Sequence, residues 1–75
     1  MTQKELLYVE DAIMHESNII KLLTISINEL ENTDLKDFLE EKLNEHIAYK
    51  LELINVLEDK SNEWSINNGK LLVSS

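Results

Sequence analysis

Apolar residues recur along the first part of the chain in alternating steps of three and four positions. This spacing places them on one face of an α-helix, because successive helical residues turn by about 100°. Thr2 and Glu5 precede this pattern with the spacing of a capping box. We therefore predict helix 1 over about residues 3–31. Its apolar stripe consists of Leu6, Val9, Ile13, Ile20, Leu23, Ile27 and Leu30.

A second helical stripe follows the break at residues 32–34. Asn32 or Thr33 can cap a helix, and Asp34 then lies where the positive end of the helix dipole favours a carboxylate. We predict helix 2 over about residues 34–66, with Gly69 in a left-handed stop and residues 67–75 as a C-terminal tail. The second stripe consists of Leu35, Leu39, Leu43, His46, Leu53, Leu57 and Trp64.

Such a short connection makes the two helices antiparallel neighbours, so residues 1–66 are expected to form an all-α helical hairpin. A lone hairpin has one contact seam and leaves its other apolar side chains in water. Two hairpins packed face to face would close a four-helix bundle, and we therefore predict a homodimer. The alternative is a monomer whose C-terminal tail folds back over the exposed stripe. The predicted dimer interface consists of Leu7, Met14, Leu22, Ile25, Phe38, Tyr49 and Val56.

Composition narrows the range of functions. The chain has 75 residues and a formal charge of −8, from 15 acidic side chains against 7 basic ones. This charge disfavours binding to nucleic acid or to an anionic membrane surface. The chain has no cysteine, no proline and one glycine, which excludes disulfides, thiolate metal sites and glycine-rich phosphate loops. We find no targeting signal or membrane span and expect a cytoplasmic protein.

Two polar residues interrupt the apolar stripes. Glu16 lies at the centre of the helix 1 face, and His46 lies near the centre of the helix 2 face. A buried carboxylate is costly unless it is paired, protonated or bound to a metal. Counting back from a turn centred near residues 32–33 places Glu16 level with Tyr49 and Lys50. We therefore favour a Glu16–Lys50 ion pair or a hydrogen bond from Tyr49, with a hydrated carboxylate as another alternative.

Glu and His are also metal ligands, so a metal site is another alternative. In di-iron carboxylate bundles, one helix supplies Glu and another supplies Glu-x-x-His. Glu16 and His46, doubled in a dimer, could bind iron or manganese, with Asp11 and His15 as auxiliary ligands or as an ordinary surface pair. Leu43 stands where this motif requires Glu. Glu16 and His46 also lean in opposite directions along the hairpin, which is expected to separate them.

The hydroxyl residues give no support to catalysis, because Ser17, Thr24 and Ser26 have no base and acid partners in the pattern. The leading hypothesis is thus a non-enzymatic structural or protein-interaction module. One alternative is a metal-binding protein with Glu16 and His46 as inner ligands. The other is a small acidic regulator that binds a basic surface of a partner protein.

Several short segments together resemble one protein family. The segments are Glu10-Asp11-Ala12 followed by His15-Glu16, and Asp34-Leu35-Lys36 opening a helix that carries His46. This layout, over about residues 4–58, resembles the short ferritin-like helical-hairpin proteins of spore-forming bacteria, the coat F-like spore coat proteins. The resemblance implies half of a ferritin-like bundle that dimerises and an association with sporulation or the spore coat. It does not imply an enzyme.

Overall fold

Two α-helices make up almost all of the described chain. The computed structural model describes the backbone of residues 1–67 and the side chains of residues 1–60. Helix α1 spans Gln3–Glu29 and helix α2 spans Thr33–Asn67. Within these residues no strand forms, and neither helix has a stretch long and apolar enough to cross a membrane. The predicted stop at Gly69, the tail after Asn67 and the side chain of Trp64 lie outside the described residues.

Helix α1 begins with the predicted capping box. The backbone N–H of Glu5 donates to Thr2 Oγ1 at 3.1 Å, and the backbone N–H of Thr2 donates to Glu5 Oε1 at 2.7 Å. These two bonds satisfy donors that the first turn of a helix leaves without partners. The local sequence therefore defines this end of the helix, and the prediction is confirmed.

The connection between the helices spans residues 30–32, so it begins earlier than predicted and is one residue longer. Helix α1 ends at Glu29, and Leu30 adopts an extended conformation with φ −82° and ψ 141°. Asn32 then caps α2, because its Oδ1 accepts a hydrogen bond from the backbone N–H of Leu35 at 2.9 Å. The connection is thus centred on Glu31. This centre determines which residues of the two helices lie side by side.

The helices pack against each other as an antiparallel hairpin, which confirms the all-α prediction. Among the described side chains only Ile27, 8% exposed, and Glu16, 7% exposed, are buried. The other stripe residues of α1 are half-buried. One stripe prediction is wrong, because Leu35 is 45% exposed at the start of α2. The hairpin therefore has a narrow seam rather than an enclosed core, and small cores of this kind are marginally stable.

Candidate functional site

The most buried polar contact in the described chain joins the two helices near the middle of α1. His46 Nδ1 lies 2.6 Å from Glu16 Oε1, and the two side chains are 34% and 9% exposed, respectively. An ionised Glu16 carboxylate can only accept, so Nδ1 then donates this hydrogen bond, from either the neutral Nδ1–H tautomer or the imidazolium. No buried side-chain nitrogen or oxygen within residues 1–60 lacks a partner. The Glu16 carboxylate is therefore satisfied within one hairpin, without a ligand.

The pairing differs from the Glu16–Lys50 contact that the sequence favoured. In the part of the chain whose side chains are described, no ion pair joins Glu16 to Lys50, and no hydrogen bond joins Glu16 to Tyr49. The reason is the register. A connection centred on Glu31 places Glu16, fifteen residues before it, level with His46, fifteen residues after it. The predicted centre was one to two residues later, which displaced the expected partner by about one helical turn.

The expectation that Glu16 and His46 would be held apart is also wrong. It relied on the tendency of helical side chains to lean toward the N-terminus of their own helix. The two side chains do start from antiparallel helices. Because their backbones are level, however, the length of both side chains is enough to close the gap to 2.6 Å.

The geometry of this pair does not fit a metal site in one hairpin. Two ligands that share a zinc- or iron-sized ion, each about 2.1 Å from it, lie about 3 Å or more apart. Nδ1 and Oε1 are at hydrogen-bond distance, with no space for an ion between them. Within the described residues, no group of three His, Cys, Asp or Glu side chains converges as a metal site would require. This arrangement therefore does not provide a set of ligands for iron or manganese.

The other two candidate ligands lie on the opposite side of α1. Asp11 and His15 are both exposed, on the helix face that points away from α2. They border a shallow surface depression together with Tyr8, Met14 and neighbouring residues of the same helix. Among the described side chains, no hydrogen bond or ion pair joins Asp11 to His15. The structure thus does not bring Asp11 and His15 to the Glu16–His46 pair.

Two of the hydroxyl groups considered for catalysis bond to their own helix. Ser17 Oγ donates to the Ile13 carbonyl at 2.9 Å, and Thr24 Oγ1 donates to the Ile20 carbonyl at 2.8 Å. These are the local back-bonds that Ser and Thr commonly form inside helices. Their local role is therefore structural.

The face of α1 that points away from α2 is rich in exposed apolar side chains. We call it the outer face of α1. A column is a series of helix residues spaced by seven positions, and the outer face comprises the three adjacent columns that are farthest from the contact with α2. Its members are Lys4, Leu7, Tyr8, Asp11, Met14, His15, Asn18, Lys21, Leu22, Ile25, Asn28 and Glu29, and all are exposed. Five of the twelve are large apolar residues, and two lysines balance two acids. This face is therefore apolar and close to neutral.

The corresponding outer face of α2 is acidic. Its members, again all exposed, are Asp34, Asp37, Phe38, Glu41, Asn44, Glu45, Ala48, Leu51, Glu52, Asn55, Glu58 and Asp59. Seven of these twelve residues are acidic and none is a lysine. The lysines of α2 within the described side chains all occupy the remaining columns of the helix. The two helices thus have outer faces of opposite character.

Sequence reasoning missed some of the exposed apolar surface. Tyr8 is 62% exposed and Leu51 is 55% exposed, yet neither was in the predicted interface. Tyr8 is adjacent in sequence to Leu7, and Lys4 Nζ lies 5.9 Å from the centre of its ring. The signal was available in the helical wheel, because Tyr8, His15 and Leu22 are spaced by seven residues in one column.

No protein-family model, curated protein or solved structure significantly matches the chain. The resemblance to the coat F-like proteins therefore stays a prediction. Function has to be inferred from the surfaces and contacts described above.

Proposed function

We propose that this protein is a non-enzymatic protein-interaction module that acts as a homodimer. The observation that carries this proposal is the exposure of its large apolar side chains. The seven residues of the predicted dimer interface are between 44% and 64% exposed in the single hairpin, although they come from both helices. They are Leu7, Met14, Leu22, Ile25, Phe38, Tyr49 and Val56.

Exposure of this extent is unusual for a chain that functions alone. Burial of apolar surface contributes about 25 cal/mol per Å², and it is the main favourable term in both folding and association. The seam buries only one apolar side chain, Ile27, below a tenth of its surface within the described residues. Association would therefore bury apolar surface that the hairpin leaves in water.

A second hairpin is a suitable partner because two helix pairs can close a four-helix bundle. In such an assembly the Glu16–His46 contact stays inside each hairpin, and the acidic positions of α2 keep the outside hydrated. The resemblance to the coat F-like proteins suggests the spore coat as the setting in which this module works. On this proposal its role is to connect proteins rather than to transform a substrate.

The test is the mass of the protein in solution across a wide range of concentration. Sedimentation equilibrium between about 1 and 200 μM should give twice the chain mass of 8.7 kDa, with dissociation only at the low end. Circular dichroism on the same samples should show a partial loss of helix content as the dimer dissociates, with the separated hairpin still helical. A single-chain mass at every concentration, with full helix content, would contradict the proposal.

The acidic outer face of α2 supports a second candidate function. Seven carboxylates without a lysine among them form a surface that could attract a basic region of another protein. Binding of a lysine-rich peptide, followed by fluorescence anisotropy, should weaken steeply between 50 and 300 mM salt, because screening shortens the range of the attraction. The matched control carries three substitutions that remove charge, Glu45→Gln, Glu52→Gln and Asp59→Asn. Equal affinity of the control and the parent protein would exclude this candidate.

A further inference from the structure

We propose that the outer face of α1 binds the same face of a second copy, with the two α1 helices antiparallel about a two-fold axis. This inference rests on the proposed function and specifies the surface that would mediate it. Such a contact is isologous, so each pair of contacting residues occurs twice, once on each side of the axis. It uses only the helix 1 residues of the broader predicted interface. The two hairpins therefore associate through α1 instead of closing a four-helix bundle, and the helix 2 residues stay outside the contact.

The charge of the two outer faces decides between them. The outer face of α1 has two lysines and two acids, so two copies of it meet without net repulsion. The outer face of α2 would bring seven carboxylates of one copy against seven of the other. Like charges placed opposite each other at an interface cost several kcal/mol. A dimer through α1 also places the acidic faces of α2 on opposite sides of the assembly.

The distribution of apolar surface points to the same face. The four most exposed large apolar residues of the described chain all lie on the outer face of α1. Their exposed fractions are 64% for Leu22, 62% for Tyr8, 62% for Met14 and 57% for Leu7. Interfaces take most of their binding energy from such apolar and aromatic anchors at their centre.

The order of residues along this face fits an antiparallel arrangement. With the two-fold axis at the level of residue 16, Leu7 lies opposite Ile25 of the second copy. Asp11 lies opposite Lys21 of the second copy, and the pair recurs on the other side of the axis. Lys4 similarly lies within one residue of the level of the second copy's Glu29. In this register Leu7 therefore meets an apolar residue, and each of the four charged residues of the face lies near an opposite charge.

A parallel arrangement lacks this complementarity. Every residue would then lie beside its own copy, so that Asp11 would face Asp11 and Lys21 would face Lys21. Because the same residues are attractive in one orientation and repulsive in the other, the charges select the antiparallel dimer.

A charge swap provides the direct test. Asp11→Lys and Lys21→Asp each turn two attractive contacts into two repulsive ones, so each should raise the dimer Kd by about tenfold or more. The double variant restores both contacts in reversed order and should return the Kd to within about twofold of the parent. Asp11 and Lys21 are exposed and about 15 Å apart along α1, so no contact between them within one chain explains such a rescue. Circular dichroism should show unchanged helix content in all variants at high concentration.

Distances between spin labels check the orientation. The chain contains no cysteine, so Asn28→Cys introduces a single labelling site per copy. In the antiparallel dimer the two labelled positions are separated by about 24 residues of helix, roughly 36 Å. In a parallel dimer they would lie about 10 Å apart, the usual spacing of packed helices. Asn18→Cys, close to the axis, should give a short distance and serves as the control.

The possible results separate this inference from the proposed function. Weakening by both single variants, rescue by the double variant and a long Asn28→Cys distance support the antiparallel dimer. If the charge swaps leave the dimer Kd unchanged but Phe38→Ser or Tyr49→Ser dissociates the dimer, the inference is overturned and the proposed function is retained. A monomer at all concentrations overturns both.

Discussion

The inner and outer faces of α1 each contain residues that are unusual for their position. On the inner face, Glu16 is among the least exposed side chains of the described chain. Two residues earlier, on the outer face, Met14 is 62% exposed. A buried carboxylate contributes little net stability, but it accepts few partners, so it favours one register of the hairpin. An exposed apolar side chain does not favour one register of the hairpin over another. It is stabilised most when another molecule covers it.

The largest effect is expected when the inner polar contact is broken from the His46 side. His46→Leu leaves the Glu16 carboxylate buried and without a donor, which should lower the free energy of unfolding by about 3 kcal/mol. Urea denaturation followed by circular dichroism, at one fixed protein concentration, measures this loss. For a hairpin with so small a core, the variant should be largely unfolded at 37 °C.

Two control variants make this test specific. Glu16→Leu removes the more buried member of the pair and leaves a histidine that is 34% exposed to water, so stability should stay the same or rise. Lys50→Leu removes the partner that the sequence favoured and should have little effect on stability. If Lys50→Leu were as damaging as His46→Leu, the register centred on Glu31 would be wrong.

A smaller effect, confined to association, is expected from the outer face. Met14→Ser and Leu22→Ser each remove a large exposed side chain, so each should raise the dimer Kd by about tenfold. Neither should destabilise the separated hairpin, because both residues are more than half exposed there. Sedimentation gives the Kd, and denaturation at the lowest workable concentration gives the hairpin stability. A loss of hairpin stability without a change in Kd would place these residues in the seam instead.

The smallest effect is expected at the N-terminal cap of α1. The hydrogen bonds from the Thr2 backbone and side chain hold the pKa of Glu5 below its usual value. Because the pKa is lower in the folded chain, the contribution of Glu5 to stability is present above its usual pKa. It is lost as the pH falls through the lowered value.

An NMR titration of the Glu5 side chain tests this statement. In Thr2→Ala, which loses the side-chain contact, the pKa of Glu5 should move partway back toward its usual value. The control is Glu5→Gln, which keeps the capping geometry but has no charge to titrate. In Glu5→Gln, fraying at the start of α1 should no longer increase as the pH falls. An unchanged pKa in Thr2→Ala would exclude the side-chain contact as a cause.

Local sequence signals were sufficient to predict much of the fold. The Thr2–Glu5 capping box and the heptad spacing of the stripes predicted two helices and a short connection, and the structure confirms them. The same signals could not place the end of α1 to within one residue, because Glu29, Leu30 and Glu31 are all acceptable in a helix. An error of two residues at this end was enough to exchange His46 for Lys50 as the expected partner of Glu16.

What the sequence determined by itself was the helical pattern, the place of Glu16 in an apolar stripe and the unequal charge of the two outer faces. These properties follow from residue type and the 100° step of the helix, so they need no knowledge of the partner helix. The tertiary structure alone decided which residue meets Glu16, because that contact depends on where the chain reverses. The turn at Glu31 brings His46 level with Glu16, and the carboxylate is satisfied there.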